Sequence, residues 1–577
     1  MSDVKLPQND QENASQREAS LAAGQKKYQY KYNYHALYDV PMAKGLPWPE
    51  EKPTLKWTLK VVATLVRLLV NYVLYLLSSL AIYKLIKFFF AQRFNFLLSG
   101  KDDRPQKLNK YRSYFRSLKV PMIADNYQED GLFGRMRVAG QNPVVIQQIS
   151  ALDADFPVTE AIFQSVKGFE HDSLEKAGAE HRLYLADYVD IRDIENGETH
   201  NIKKYICVPK ALFAIPAQHD GNLKTALLPI AIQCAQTPAN GDPIFTPNDG
   251  AAWDIAKTIV QVADFSHHEL ITHLGATHLR IEPFVVSTHR QLADSHPLKK
   301  LLLPHFEGTI LINWGAQASL VADGGPFDEM FAGTMASNRK IVAQTLARSF
   351  NDEIFPRKMQ QRGVGDDKLL YPYRDDAEKI WAATAEWVSD YLSVYYTSDD
   401  DITNDTELQA WVSELVSEGW VKGFGDDASG SITSVAYLKE AVTMVIFTAS
   451  TQHSAVNFTQ KDFSGYTPSM PAAGYMPAPR HTKKTEEDLL EILPTLSMAN
   501  DQVNLTNLLS GIEYTQLGQY DADLFEGREI NDALIKFKKK LEKVEADIRA
   551  RNIKELRDGI TPYHYMLPSR IPQSINI

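Results

Sequence analysis

The 577-residue chain contains only two cysteines, Cys207 and Cys234. That excludes a disulfide framework and all-cysteine zinc or iron–sulfur sites, and it makes a reducing, cytoplasmic setting the expectation. Glycine (30) and proline (29) are sparse while 44% of residues are apolar, so collagenous, low-complexity and wholly disordered classes are excluded and a sizeable core is available. No stretch reads as a signal peptide. The charge-free apolar run from Leu68 to Tyr83 has 16 residues, short of the roughly 20 that a membrane-spanning helix needs. Positive charge is in the minority, 61 Lys+Arg against 72 Asp+Glu for a net −11, which argues against a nucleic-acid partner. Oligomeric state has no signature in the chain.

What is present falls into three stretches. Residues 1–56 begin polar and become aromatic and proline-punctuated, as in YQYKYNYHALYDVPMAKGLPWPEEKPT; a mobile tail followed by an extended strap is expected. Residues 57–119 turn apolar and then basic. Ten Lys/Arg face only Asp102 and Asp103 between residues 84 and 119, with Phe88, Phe89, Phe90, Phe94 and Phe96 among them. Packed core helices and a peripheral helix in an anionic bilayer interface both fit this helical extension, and a true span fits less well. Residues 120–577 show no long linker or repeat. Within them FGRMRVAGQNP (133–143) reads as a loop, RLYLADYVDI and LLPIAIQC as short strands, and most segments after Asp254 as helices by apolar spacing.

Histidine, with 15 copies, is where metal chemistry can reside. SHHELITHLGATHL places His268, His273 and His278 five residues apart, so the zinc-protease H-E-x-x-H spacing is absent. Five residues of ideal α-helix advance ~500°, leaving successive histidines roughly 140° apart. A π-type distortion between His273 and His278 would bring them towards one face, and it is the expectation here, beside the plainer reading of histidines hydrogen-bonded within a packed helix. His453 and Asn457, four apart in TASTQHSAVNF, share a helical face without distortion. Imidazole and amide donors without thiolate suit a borderline divalent ion.

FGRMRVAGQNP, the histidine block running into IEPFVVSTHRQLADSHPLKKLLLPHFEGTILINWGAQASLVADGG, the His-x3-Asn pair and the terminal IPQSINI together resemble the lipoxygenases, in order, over roughly residues 120–577. The resemblance implies a mainly α fold, one large lipoxygenase-type helical catalytic domain with a small amount of β, preceded by an N-terminal helical extension in place of the family's β-sandwich. It implies non-haem iron, with manganese the lesser alternative, held by His273, His278, His453, Asn457 and the carboxylate of Ile577; His268 matches a non-ligand position. Glu269 and Gln460 match positions that orient the ligands, and Ala316, Leu320 and Leu509 match the substrate wall. The implied reaction is hydrogen abstraction from a cis,cis-1,4-pentadiene fatty acid and insertion of O2 to give a hydroperoxide. Alternatives are a hydroperoxide-converting or manganese variant, and a membrane-associated lipid-binding protein with a vestigial site.

Overall fold

The computed structural model describes residues 4–33, 38–47, 53–78, 104–217, 227–239, 241–366 and 368–577. Its axis is one continuous helical rod. Ala251–His267 is α-helical, His268–Leu279 continues with i→i+5 bonding, and Arg280–Gln291 returns to α. Residues 252–267 are buried apart from Asp254, which fits a helix central to the core. Helices Met335–Leu346 and Thr406–Ser417 pack along the rod, Val435–Phe447 packs against Pro372–Leu392, and Pro372–Leu392 also pairs with the long Arg528–Arg557.

The β structure is minor. Strands Gln147–Ile149, Leu183–Asp187, Lys210–Ala214 and Leu228–Gln233 lie side by side in that order, all antiparallel. The near-continuous apolar sequences of the last three follow from burial of both faces. Alternate residues divide accordingly, with Tyr184, Ala186, Ala211 and Phe213 in the main core and Leu183, Leu185, Leu212 and Ala214 in a second cluster.

Two local expectations are corrected. FGRMRVAGQNP is not mainly loop, because Asp130–Ala139 is helical. Its Gly134 serves close packing, since a Cβ there would lie 1.8 Å from the Leu227 carbonyl oxygen. The start of the chain is not a free tail either. Ala14–Lys27 is a helix docked against Arg280–Gln291, and Arg17, 5% exposed, donates to Glu407 (2.7 Å), Asp10 (3.0 Å) and the Ser295 hydroxyl (2.8 Å). After it, Tyr30–Asn33 and Tyr38–Ala43 pair as extended chain, and Val40 and Met42 are buried in the main core.

Leu55–Ser78 forms a 24-residue helix of divided character. Trp57, Val61, Leu68, Asn71 and Tyr75 turn inward towards Leu496–Leu509 and residues 108–118. Asn71 is fully buried, accepting from the backbone N–H groups of Arg116, Ser117 and Leu118 and donating to the Tyr114 carbonyl. Outward stand Leu55, Leu59, Val62, Leu65, Val66, Leu69, Val70, Val73, Leu74 and Leu77, from 36% to 75% exposed. A fully buried core helix is thereby excluded for this stretch. By length and composition Leu55–Leu77 is also long enough to cross a membrane. The aromatic-basic stretch up to residue 103 lies outside the described residues.

Replacing Arg17 with Ala leaves Asp10 and Glu407 buried without their cation. Loss of a buried partner of this kind costs about 3–5 kcal/mol. The expected outcome is that much lost stability in denaturant unfolding, with faster amide exchange over residues 4–27; unchanged exchange there would contradict the docked reading.

Candidate metal centre

The π register performs the geometric task that the five-residue spacing demands. With i→i+5 bonding over His268–Leu279, the His273 and His278 Nε2 atoms lie 3.2 Å apart, and His453 Nε2 is 3.2 Å from that of His278. The bulge expected between His273 and His278 is thus a longer segment. Gly275 lets Met335–Leu346 approach it, since a Cβ would fall 2.8 Å from the Thr345 methyl. A second π turn, Thr448–Gln452, precedes the α-helical turn that carries His453 and Asn457.

The hydrogen-bond partners assign the protons. His273 Nδ1 is 3.1 Å from Glu269 Oε2, and a carboxylate only accepts, so that nitrogen carries the hydrogen. His278 Nδ1 is 2.9 Å from Asn313 Oδ1; the Asn313 amide nitrogen is engaged by the His278 carbonyl (3.1 Å) and by Glu282 (2.7 Å). Both Nε2 atoms therefore present lone pairs to each other. Two lone pairs at 3.2 Å repel unless a cation lies between them, and nitrogens bound about 2.0–2.1 Å from one ion lie roughly 3 Å apart. The residues fit a metal.

Burial reinforces this. It pushes His278 down to about 3, with His273 adding to the effect, and holds His273 below and His453 well below the ordinary imidazole range. Neutral rings keep their lone pairs available. Burial alone would raise the Glu269 carboxyl, but interaction with His268 and hydrogen bonds from His268 and His273 hold it well below the usual carboxylate range.

The other candidates surround the three rings. The backbone of Ile577 lies beside His453 and tends to raise its imidazole against the effect of burial. Asn457 is fully buried, its amide nitrogen donates to the Leu509 carbonyl (3.0 Å), and Gln460 donates to its Oδ1 (3.2 Å). The amide orientation leaves Oδ1 as its acceptor face. His268 is turned away, 2.7 Å from the Val456 carbonyl through Nε2 and 3.1 Å from Gln141 through Nδ1, so it braces the rod. Ala316 and Leu320 bound a π turn after helix Thr309–Gly315, and Leu320 packs on the main core. Leu509 ends its helix half-buried.

Several contributors escaped the sequence reading. Gln141 and Asn142 of FGRMRVAGQNP clamp the rod, Asn142 donating to Asp264 and accepting from Thr272. Asn313 and Glu282 form a relay behind His278 that ends at the Ala43 backbone N–H, 2.8 Å from Glu282. Glu282 could have been found, because it lies four residues after His278 on a helix and so shares its face. Asn313 comes from a separate helix and carries no local signal.

The lipoxygenase family model matches residues 106–568. The linoleate 9/13-lipoxygenase of Pseudomonas aeruginosa is 40% identical over 492 residues, 82% of this chain and 70% of that protein. The allene oxide synthase-lipoxygenase protein of Plexaura homomalla is 33% identical over 79% of this chain, which spans 45% of that relative. A lipoxygenase crystallised anaerobically with arachidonate superposes with a TM-score of 0.87 at 28% identity, covering 100% of this chain and 84% of that one.

Burial pushes the Glu282 carboxyl up to about 7. A raised carboxyl favours the folded state while protonated, so its contribution is present below the ordinary value near 4.5 and is lost as pH rises through about 7. Relative to Glu282→Gln, the wild-type chain is expected to lose up to about 3 kcal/mol between those pH values. Urea unfolding at a series of pH values measures it; parallel pH profiles for the two proteins would contradict the assignment.

Proposed function

The chain belongs to the lipoxygenase family, and on that premise we propose that it dioxygenates polyunsaturated fatty acids carrying a cis,cis-1,4-pentadiene, using one non-haem iron. The observation that carries this reading is the convergence of three buried imidazoles, with the His273 and His278 Nε2 lone pairs facing each other at 3.2 Å and His453 Nε2 3.2 Å from that of His278. His273, His278, His453, Asn457 and the Ile577 carboxylate would hold the ion. Iron supplies, when bound, the one-electron redox chemistry that removal of a bis-allylic hydrogen atom requires, which zinc lacks. The name of the Pseudomonas aeruginosa relative, which specifies linoleate, and the neighbour's bound arachidonate support an unsaturated fatty acid as substrate.

The chain's own residues supply the rest. Glu269 and Asn313 fix the His273 and His278 tautomers, and the Leu509 carbonyl and Gln460 fix the Asn457 amide. Ala316 and Leu320, at the two ends of the π turn, would form part of the wall against which the pentadiene is held. Conversion of hydroperoxides is the second reading, supported by a human relative named as a hydroperoxide isomerase, 32% identical over 82% of this chain; it predicts consumption of added hydroperoxide without uptake of O2.

His273→Ala is expected to lose bound metal and to abolish conjugated-diene formation from linoleate. One alanine added after Ile577 should do the same by converting the carboxylate to an amide. Metal analysis and diene absorbance measure both, and a folded wild-type protein that is active without metal would overturn the reading.

The outward face of Leu55–Ser78 is proposed to lie in an anionic bilayer interface, delivering lipid substrate. Ten exposed apolar side chains support this, as do the exposed Arg116 and Lys119 beside the Asn71 anchor. Fully burying one leucine contributes about 1.5–3 kcal/mol. The double variant Leu59→Glu/Leu69→Glu should therefore sediment with phosphatidylglycerol-containing vesicles at least about tenfold less than wild type; equal sedimentation would remove this surface from consideration.

A further inference from the structure

The same helix reaches the metal centre from the other side. Trp57, half-buried in its first turn, donates its indole N–H to the carbonyl of Asn576 at 2.8 Å, joining positions 519 residues apart. The Asn576 carbonyl belongs to the peptide that immediately precedes Ile577, so its direction sets where the final Cα and carboxylate stand.

The terminal segment is held by side chains at three of its carbonyls. His305 Nδ1 is 2.8 Å from the Gln573 oxygen, the Thr309 hydroxyl is 3.2 Å from that of Ile575, and Trp57 takes that of Asn576. The Asn576 side chain adds a bond to Thr515 (3.2 Å), and the Ser574 hydroxyl one to the Glu307 carbonyl (2.7 Å). His305 lies just before, and Thr309 begins, the helix that carries Asn313, well inside the region matched by the family model. Trp57 lies outside that region. The last tether before the carboxylate therefore comes from the amino-terminal extension.

We propose that Trp57 is a positioning residue for the carboxylate of Ile577, so that the extension helix completes the metal site. The proposal rests on the reading of Ile577 as a ligand. A strong orienting bond one peptide from a ligand acts on the metal as partners of ligating groups do, by restricting the ligand to its bound direction. Trp57→Phe keeps a large aromatic ring in the core contact and removes only the N–H.

The experiment measures release of bound metal into excess chelator by the intact protein, for four proteins: wild type, Trp57→Phe, the chain with one added C-terminal alanine, and the combination. A net hydrogen bond is worth about 1 kcal/mol, so Trp57→Phe is expected to release metal about five- to tenfold faster. Its kcat for linoleate should fall while KM holds. In the extended chain, which lacks a carboxylate at position 577, Trp57→Phe should add nothing. If the extended chain retains metal like wild type, the ligand reading itself fails. If the extension weakens retention but Trp57→Phe matches wild type, this inference fails and the ligand reading stands. Amide exchange over residues 55–78 separates the effects further: faster release with unchanged exchange supports positioning, whereas faster release accompanied by general exchange of the helix assigns Trp57 to packing and overturns the proposal.

Discussion

Everything at the centre of this molecule depends on the hydrogen-bond register of one helix. In α register His273 and His278 would point away from each other; with i→i+5 bonding their Nε2 atoms are 3.2 Å apart. A π segment has poorer intrinsic hydrogen-bond geometry than the α-helix it interrupts, so its surroundings must hold it. Here residues 268–273 are all buried, Thr272 and Thr277 hydroxyls bond back to carbonyls four residues earlier, and Asn142 reaches the segment from outside. Burial and register act together: the packing that enforces the unusual bonding also strips water from the imidazoles and keeps them neutral.

Three of the candidate ligands, His273, His278 and Asn457, are each oriented through a group supplied by a different stretch of chain. Glu269 serves His273 from within the rod. Asn313 serves His278 and is itself held by Glu282, whose other oxygen accepts the Ala43 backbone N–H. The carbonyl of Leu509 serves Asn457, and Ser510 bonds the Asn457 carbonyl. Closing loops of this length carries an entropic cost that short-range contacts avoid, and the burial gained across the main core must offset it. A centre built this way is sensitive to changes far from it in sequence, because Leu509 stands one hydrogen bond, and Ala43 three, behind a candidate ligand.

Helical spacing made most of the fold legible, since the rod, the Pro372–Leu392 helix and the long Arg528–Arg557 helix all show their apolar faces in sequence. The π register was legible too, because a five-residue histidine repeat has no other way to share a face. FGRMRVAGQNP misled for a physical reason: its glycines look like turn formers, yet Gly134 is there to admit the Leu227 carbonyl. The polar start of the chain misled as well. Arg17 reads as a solvated cation until Asp10 and Glu407, 390 residues away, are seen to bury it. Asn313 and Trp57 belong to the same class, because their significance lies in a partner that no local pattern names.

The compositional boundary near residue 119 is not a packing boundary. Met42 is buried in the main core, and its sulfur receives the amide of Gln317, the neighbour of Ala316. Asn71 fixes residues 116–118, and Arg67 reaches Asn507 on the helix that ends at Leu509. An extension acting only as a lipid anchor would need an outer apolar face and a flexible attachment. This one has a second face, polar at Trp57, Arg67 and Asn71, bonded directly to the elements that line the metal centre. Helix Leu55–Ser78 is therefore better understood as an inner wall of the catalytic unit whose outer surface is apolar, and removing it would uncover the Leu496–Leu509 helix and free the Asn576 carbonyl together.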